Sequence, residues 1–258
     1  MESHSGAMDV SALEASDALV HLSGASIAGG RWTSARKQIL RSSRVDTTRV
    51  LVDSFSRLSR KPRVFVSASA VGYYGSRGDE VLTESSQPGT DFLSALARDW
   101  EAEASQAQAS GIRTVMLRLG VILSVEGGAL PRMITPFKFG MGGPLGGGEQ
   151  WMSWIALEDV IGIVRFAIAS VQLSGPVNVV APNPVRNRDF SRVLAMVLHR
   201  PAILRAPAFV LRLALGEMAN ALLLVSQRAH PEKLLAAGYR FRFDGLGTAL
   251  REIVDRKT

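Results

Sequence analysis

The hydroxyls of Ser67, Ser69, Tyr73 and Tyr74 are the side chains best placed to do chemistry, all within residues 67–75 and directly after the apolar run at 63–66. Four residues rich in β-branched and aromatic types read as a buried strand. Small residues and hydroxyls take over where that strand would leave a sheet. In open α/β sheets, ligands sit beyond the carboxyl ends of the strands, and a side chain larger than Ser or Ala there would fill the ligand's space. The chemistry on offer is thus the binding of a polar atom by hydroxyls. A tyrosine, with an ordinary pKa of about 10, needs a nearby cation to act near neutrality. Tyr73 and Arg77 have a helical spacing but lie in a glycine-flanked loop, where that spacing does not bring side chains onto one face. The four histidines (His4, His21, His199 and His230) are scattered away from acid clusters, and there is no cysteine. No metal site and no thiolate nucleophile are expected.

The elements that must position these hydroxyls follow from periodicity. Residues 18–22 read as a strand with Ser23 and Gly24 as its small-residue exit. A long helix is predicted over 34–58, with Ile39, Val45, Val50, Leu51 and Phe55 at rough helical spacing. The strand at 63–66 leads through a loop to a helix over about 91–109, capped by Asp91 and stopped at Gly111. Residues 112–117 form another buried strand, exiting at Arg118, Leu119 and Gly120. This rhythm implies crossover connections and a parallel sheet. An irregular Gly/Pro-rich loop covers 140–148, a short strand 151–155, a helix 158–169 and a strand 177–180. A helix follows with Asn187 as its cap. Helices are expected at 207–215, 217–225, 231–237 and 246–254, with a half-exposed strand at 240–243. The division predicted is a nucleotide-binding part over 1–183 and a mostly helical C-terminal region over 184–258.

The 258 residues can bury one large core or two small ones, and 47% hydrophobic with 21% charged residues is a globular composition. No apolar run is long enough to cross a bilayer. The opening ten residues are polar and acidic, unlike a secretion signal, so a cytoplasmic location is expected. The net charge of +7 is densest between Arg31 and Arg63. A solvated helix face explains that stretch. A nucleic-acid reading has charge alone behind it and ranks last.

Taken in order, residues 21–24 (His-Leu-Ser-Gly), 67–75 and 118–123 (Arg-Leu-Gly-Val-Ile-Leu) resemble an extended short-chain dehydrogenase/reductase. Residues 142–146, 150–155 and 178–184 narrow this to the NAD(P)-binding epimerase-like subfamily with a C-terminal helical segment. The similarity spans nearly the whole chain. It implies a Rossmann-like parallel sheet, NADP or NAD as cofactor, and oxidoreductase or epimerase-like action on a carbonyl or alcohol group of a small-molecule substrate. A catalytically silent nucleotide-binding or interaction module is the alternative. Family members carry a strand, a Gly-rich turn and two more strands ahead of the segment matching 18–22. None is readable here, so the sheet is expected to be N-terminally incomplete, without the helix N-terminus that holds the pyrophosphate. Residues 18–22 would then be an unpaired edge, covered by residues 1–15 or by a second copy. The 34–58 helix is a competing homodimer surface.

By position, the resemblance carries the family's catalytic Ser to Ser69, whose hydroxyl would hydrogen-bond the substrate oxygen. The Tyr-x-x-x-Lys pair does not carry over, because the helix after Asp91 has neither residue. Tyr74 is a candidate proton donor, with loop packing as its alternative. Ser23 and Gly24 would lie along the adenosine half of the cofactor. Ser67, Ala68, Arg118, Leu119, Gly120 and Val121 would line the ribose and nicotinamide half, and Arg44 would reach a phosphate, with a solvated or paired arginine as the alternative. Gln150, Trp151 and Trp154 look like the substrate side, an aromatic wall suited to a planar or sugar-like ligand. The alternative for both tryptophans is a place in the core.

Overall fold

The computed structural model describes residues 10–255. Its strands are β1 (Ala18–His21), β2 (Val64–Ala70), β3 (Val81–Leu82), β4 (Arg113–Leu119), β5 (Val121–Leu123), β6 (Trp151–Met152), β7 (Trp154–Ala156), β8 (Gly175–Val179), β9 (Val185–Arg186) and β10 (Arg228–Ala229). The helices are α1 (Ser34–Arg41), α2 (Thr47–Ser54), α3 (Phe92–Ser105), α4 (Leu130–Lys138), α5 (Leu157–Ala169), α6 (Asn187–Leu198), α7 (Ala208–Leu215), α8 (Glu232–Ala236) and α9 (Leu246–Asp255). The central sheet has the order β1-β2-β4-β8 and every pairing in it is parallel. Among the described residues β1 forms one edge, with Val20 38% exposed.

The core explains the layering. On one face, Phe65 and Met116 pack with Leu51, Phe55 and Ile112, burying α2 against the sheet. On the other, Val66, Val115 and Val177 pack with Val160 and Ile163 of α5. A third cluster joins α4, α6 and α9 around Trp154, Phe190, Leu194 and Leu250. The C-terminal helices thus share a core with α4 and β7, which come earlier in the chain.

Most predicted elements are present, and the differences have local causes. The 34–58 helix is continuous but tightens and loosens: α1 and α2 are joined by a π-turn at Ser42–Asp46 and end in a 3-10 turn. Asp91 caps α3 by accepting from Ser94 N–H at 2.9 Å, and Gly111 stops the helical stretch in the left-handed region at φ 77. β2 and β4 run four and two residues further than the apolar pattern suggested, so Ser67 and Arg118 lie within strands and not at their exits. Helix α6 is capped at Arg186, one residue before Asn187, and residues 240–243 form no strand. No helix among the described residues is long and apolar enough to cross a membrane.

Candidate active-site cleft

A cleft of about 390 Å³ opens at the carboxyl ends of β1, β2 and β4. It brings together Ser23 and Gly24 beyond β1, Ala68 and Ser69 at the end of β2, and Leu119, Gly120 and Val121 around the end of β4. Arg44 and Trp151 also line it. Arg44 reaches it from the π-turn, where its guanidinium donates to Ala25 O at 3.0 Å and Leu40 O at 3.2 Å and lies 5.3 Å from the Trp100 ring. A Cβ on Gly24 would come within 2.9 Å of that guanidinium carbon, so glycine is what lets Arg44 lie there. Burial, with the charge of Arg36 added, lowers the Arg44 pKa. No ion pair among the described residues neutralises it, so its charge is available to a bound anion.

Five of the predicted residues are placed elsewhere. Ser67 is fully buried mid-strand, its hydroxyl donating to the carbonyl of Ala68 at 3.3 Å. Gln150 donates to Leu145 O and Leu223 O, tying the glycine-rich loop to the C-terminal segment. Trp154 belongs to the core beneath that loop, its indole N–H donating to Asn183 O at 3.0 Å. Arg118 and Tyr74 lie behind the cleft in a buried polar network. Gly120 does line the cleft, but its small size serves packing: a Cβ would sit 2.6 Å from Ser153 O and 2.9 Å from Val180 Cγ1.

That network starts at Ser69. The parallel register sets Ser69, Arg118 and Asn178 side by side on β2, β4 and β8. Ser69 Oγ donates to Glu101 Oε1 at 2.6 Å. Arg118 grips both carboxylate oxygens of Glu101, Nε to Oε1 and Nη2 to Oε2, each at 2.8 Å. Its Nη1 donates to Tyr74 OH at 2.9 Å and Glu84 O at 3.2 Å, and the guanidinium lies 3.5 Å from the Tyr73 ring. Tyr74 OH in turn donates to Asn178 Oδ1 at 2.7 Å. Burial pushes the Tyr74 pKa up to about 12, with Glu84 adding to it, against the opposing pull of Arg118 and Asn178. Burial alone would weaken the Arg118 charge, but its bonds to Glu101 and Tyr74 outweigh this and hold its pKa above the ordinary value. Tyr74 thus lies buried behind the cleft with its hydroxyl engaged by Arg118 and Asn178.

Glu101, Asn178 and Glu84 were not anticipated from sequence. Glu101 had a signal: it is an acid on the apolar stripe of α3 that carries Leu93, Leu96, Ala97 and Trp100. An Arg in the buried run of β4 is its natural partner, since a charge inside a core must be paired. Four residues of that same stripe, Leu93, Leu96, Ala97 and Trp100, face the cleft. Leu93 and Ala97 are spaced as a Tyr-x-x-x-Lys pair would be, so the helix offers the cleft no acid or base. No group of three His, Cys, Asp or Glu residues among the described residues could hold a metal ion.

Comparison with known proteins bears on this geometry. Residues 5–180 match the model of the NAD dependent epimerase/dehydratase family, and residues 206–253 match a domain of unknown function (DUF1731). Epimerase family protein YfhF of Bacillus subtilis is 45% identical over 244 residues, covering 94% of this chain and 80% of that protein. Epimerase family protein Mb2239 of Mycobacterium bovis is 45% identical over 246 residues, covering 95% of this chain and 81% of its own length. The crystal structure of human epimerase family protein SDR39U1 (isoform 2) with NADPH superposes with a TM-score of 0.90 at 34% identity, covering 94% of this chain and 83% of that one. A nucleoside-diphosphate sugar epimerase from Corynebacterium glutamicum gives a TM-score of 0.74 at 39% identity, covering 92% of this chain and 46% of that one. These matches run along almost the whole chain and do not themselves support an N-terminally incomplete sheet. With a parallel sheet, a cleft at its carboxyl rim and these relatives, the chain belongs to the NAD dependent epimerase/dehydratase family.

Proposed function

We propose that the cleft binds a nicotinamide dinucleotide and that the protein acts as an oxidoreductase or epimerase on a carbonyl or alcohol group. The observation that carries this reading is Arg44, a part-buried cation with no carboxylate partner among the described residues, held against Gly24 at the rim of a parallel sheet. A phosphate of the cofactor is the anion such a group fits. Ser23 and Gly24 lie along the adenosine half. Ala68, Leu119, Gly120 and Val121 line the ribose and nicotinamide half. When bound, the nicotinamide supplies or accepts the hydride. The human relative solved with NADPH supports NADP or NAD as the cofactor class.

Ser69 is the hydroxyl at the reacting end. Glu101 holds its proton inward, which turns the oxygen lone pairs toward the cleft, suited to accept from a substrate alcohol. Rotation of the hydroxyl would aim the proton at a carbonyl oxygen instead. Residues 1–183 supply the nucleotide side and residues 184–258 the cover over the substrate side. Calorimetric titration with NADPH tests the assignment, and absence of heat overturns it. Arg44→Gln should weaken NADPH about tenfold to a hundredfold, the value of a hydrogen bond to a charged group (about 1.5–3 kcal/mol). Ser69→Ala should slow turnover and leave nucleotide affinity nearly intact.

A further inference from the structure

Arg44 is the sole ionisable side chain among the residues lining the cleft. It lies toward β1. Across the sheet, the cleft is walled by Met133 of α4, Leu145, Trp151 and Met152, and by Leu222 and Val225 of the C-terminal segment. Several polar side-chain groups on that side already have protein partners. Ser153 Oγ donates to Gln227 O and accepts from Ala229 N–H, Asn187 Oδ1 accepts from Leu145 N–H, and Gln227 Nε2 donates to Val71 O. Beyond the wall, Arg186 and Arg228 lie against the Trp151 ring at 4.7 and 4.6 Å, and Arg186 is paired with Asp79 at 3.0 Å. The C-terminal segment is pinned over the cleft by Lys37 and Glu217, 2.6 Å apart.

From this we infer that the substrate half of the cleft takes an uncharged, largely apolar ligand and not a nucleoside diphosphate sugar. The inference rests on the nicotinamide reading of the Arg44 side and deepens it. A diphosphate drawn out of water needs cations or several free donors, and burying it against Met, Leu and Trp without them is strongly unfavourable. An apolar ring or chain, by contrast, gains from every wall residue it covers.

The test uses the full chain with two probes, 4-phenylcyclohexanone as an uncharged ketone and UDP-glucose as the charged sugar nucleotide, each titrated by NMR line broadening with and without NADPH. The ketone should bind at least about tenfold tighter than UDP-glucose. Leu222→Arg, at a half-buried position of the wall, should weaken the ketone about tenfold or more with an unchanged melting temperature. Met133→Gln, on a different element, serves the same purpose should Leu222→Arg fail to fold. UDP-glucose binding as tightly as the ketone, or no ketone binding, overturns the inference. NADPH titrated alone judges the cofactor reading separately: lost NADPH binding with ketone binding kept would sink that reading only, and the reverse would sink only this one.

Discussion

Replacing Glu101 by Gln perturbs a buried network that ties the sheet core to Ser69 of the candidate site. Glu101 is 8% and Arg118 2% exposed, and two bonds of 2.8 Å join them. Removing one partner of such a pair leaves the other charge buried and uncompensated, which costs about 3–5 kcal/mol. Gln retains one acceptor oxygen, so the expected loss lies near the lower end, about 3 kcal/mol. That is a large share of the roughly 5–15 kcal/mol that stabilises a typical domain. Arg118→Met should cost at least as much, because it strands the Glu101 carboxylate and removes the donor to Tyr74. The double variant Glu101→Gln with Arg118→Met should fall short of the sum of the singles by about 2 kcal/mol, the signature of two groups in contact. Urea unfolding followed by tryptophan fluorescence reads this directly, since Trp100 precedes Glu101, and equal m-values would certify that compactness is unchanged. A Glu101→Gln variant within about 1 kcal/mol of the parent, or strictly additive singles, would refute the claim that this ion pair is a buried strut.

Two further outcomes follow from the same geometry. Tyr74→Phe removes a hydroxyl that accepts from Arg118 and donates to Asn178, so stability should drop by about 1–3 kcal/mol while NADPH affinity and turnover at permissive temperature stay near those of the parent; a folded Tyr74→Phe protein with abolished turnover would return Tyr74 to the chemistry. His21 has a buried Nε2 with no partner among the described residues and stacks on Phe65, and burial lowers its pKa below 6.5. Its neutral form is the folded form, so its contribution is full above about pH 6.5 and declines as pH falls below that. His21→Leu should flatten the stability profile between about pH 7 and 5, which thermal melts across that range would show; an unchanged profile would mean His21 titrates freely.

The sequence made the frame of the sheet legible because parallel strands buried on both faces read as continuous apolar runs. The runs at 63–66 and 112–117 are such cases, whereas the run at 18–22 is apolar but only partly buried, as an edge. Caps were legible for the same local reason: Asp91 and Gly111 act through their own backbone. Strand ends were not, because Ser67–Ala70 is small and polar yet extends β2 by pairing with β4, a tertiary effect absent from any local window. The same holds for residues 240–243, whose alternation looks like a strand but is used otherwise. Asp159 accepts from the N–H groups of Arg242 and Phe243, and Tyr239 OH reaches Asp159 O, so this segment folds onto the start of α5. The site divides along similar lines. Smallness at Ser23, Gly24, Ala68 and Ser69 marks a cleft that exists, whereas Arg118 and Tyr74 owe their place to Glu101, a residue fifty positions of argument could miss because its meaning depends on what lies across the sheet.

The arrangement of polar groups, taken together, separates two tasks that a catalytic tyrosine and lysine would otherwise share. The wall of α3 facing the cleft is Leu93, Leu96, Ala97 and Trp100, and so contributes shape and dryness without a proton. The charges sit one layer deeper, where Glu101 and Arg118 fix the orientation of Ser69 without touching the cleft. Among the described residues, Ser69 is the hydroxyl through which that buried layer reaches the cleft, since Ser67 points its proton to backbone and Ser153 is satisfied by Gln227 and Ala229. A site built this way orients better than it ionises. Under the proposed oxidoreductase reading, such a site would hold a carbonyl or alcohol oxygen through one well-placed hydrogen bond, which a dry apolar wall strengthens by lowering the local dielectric.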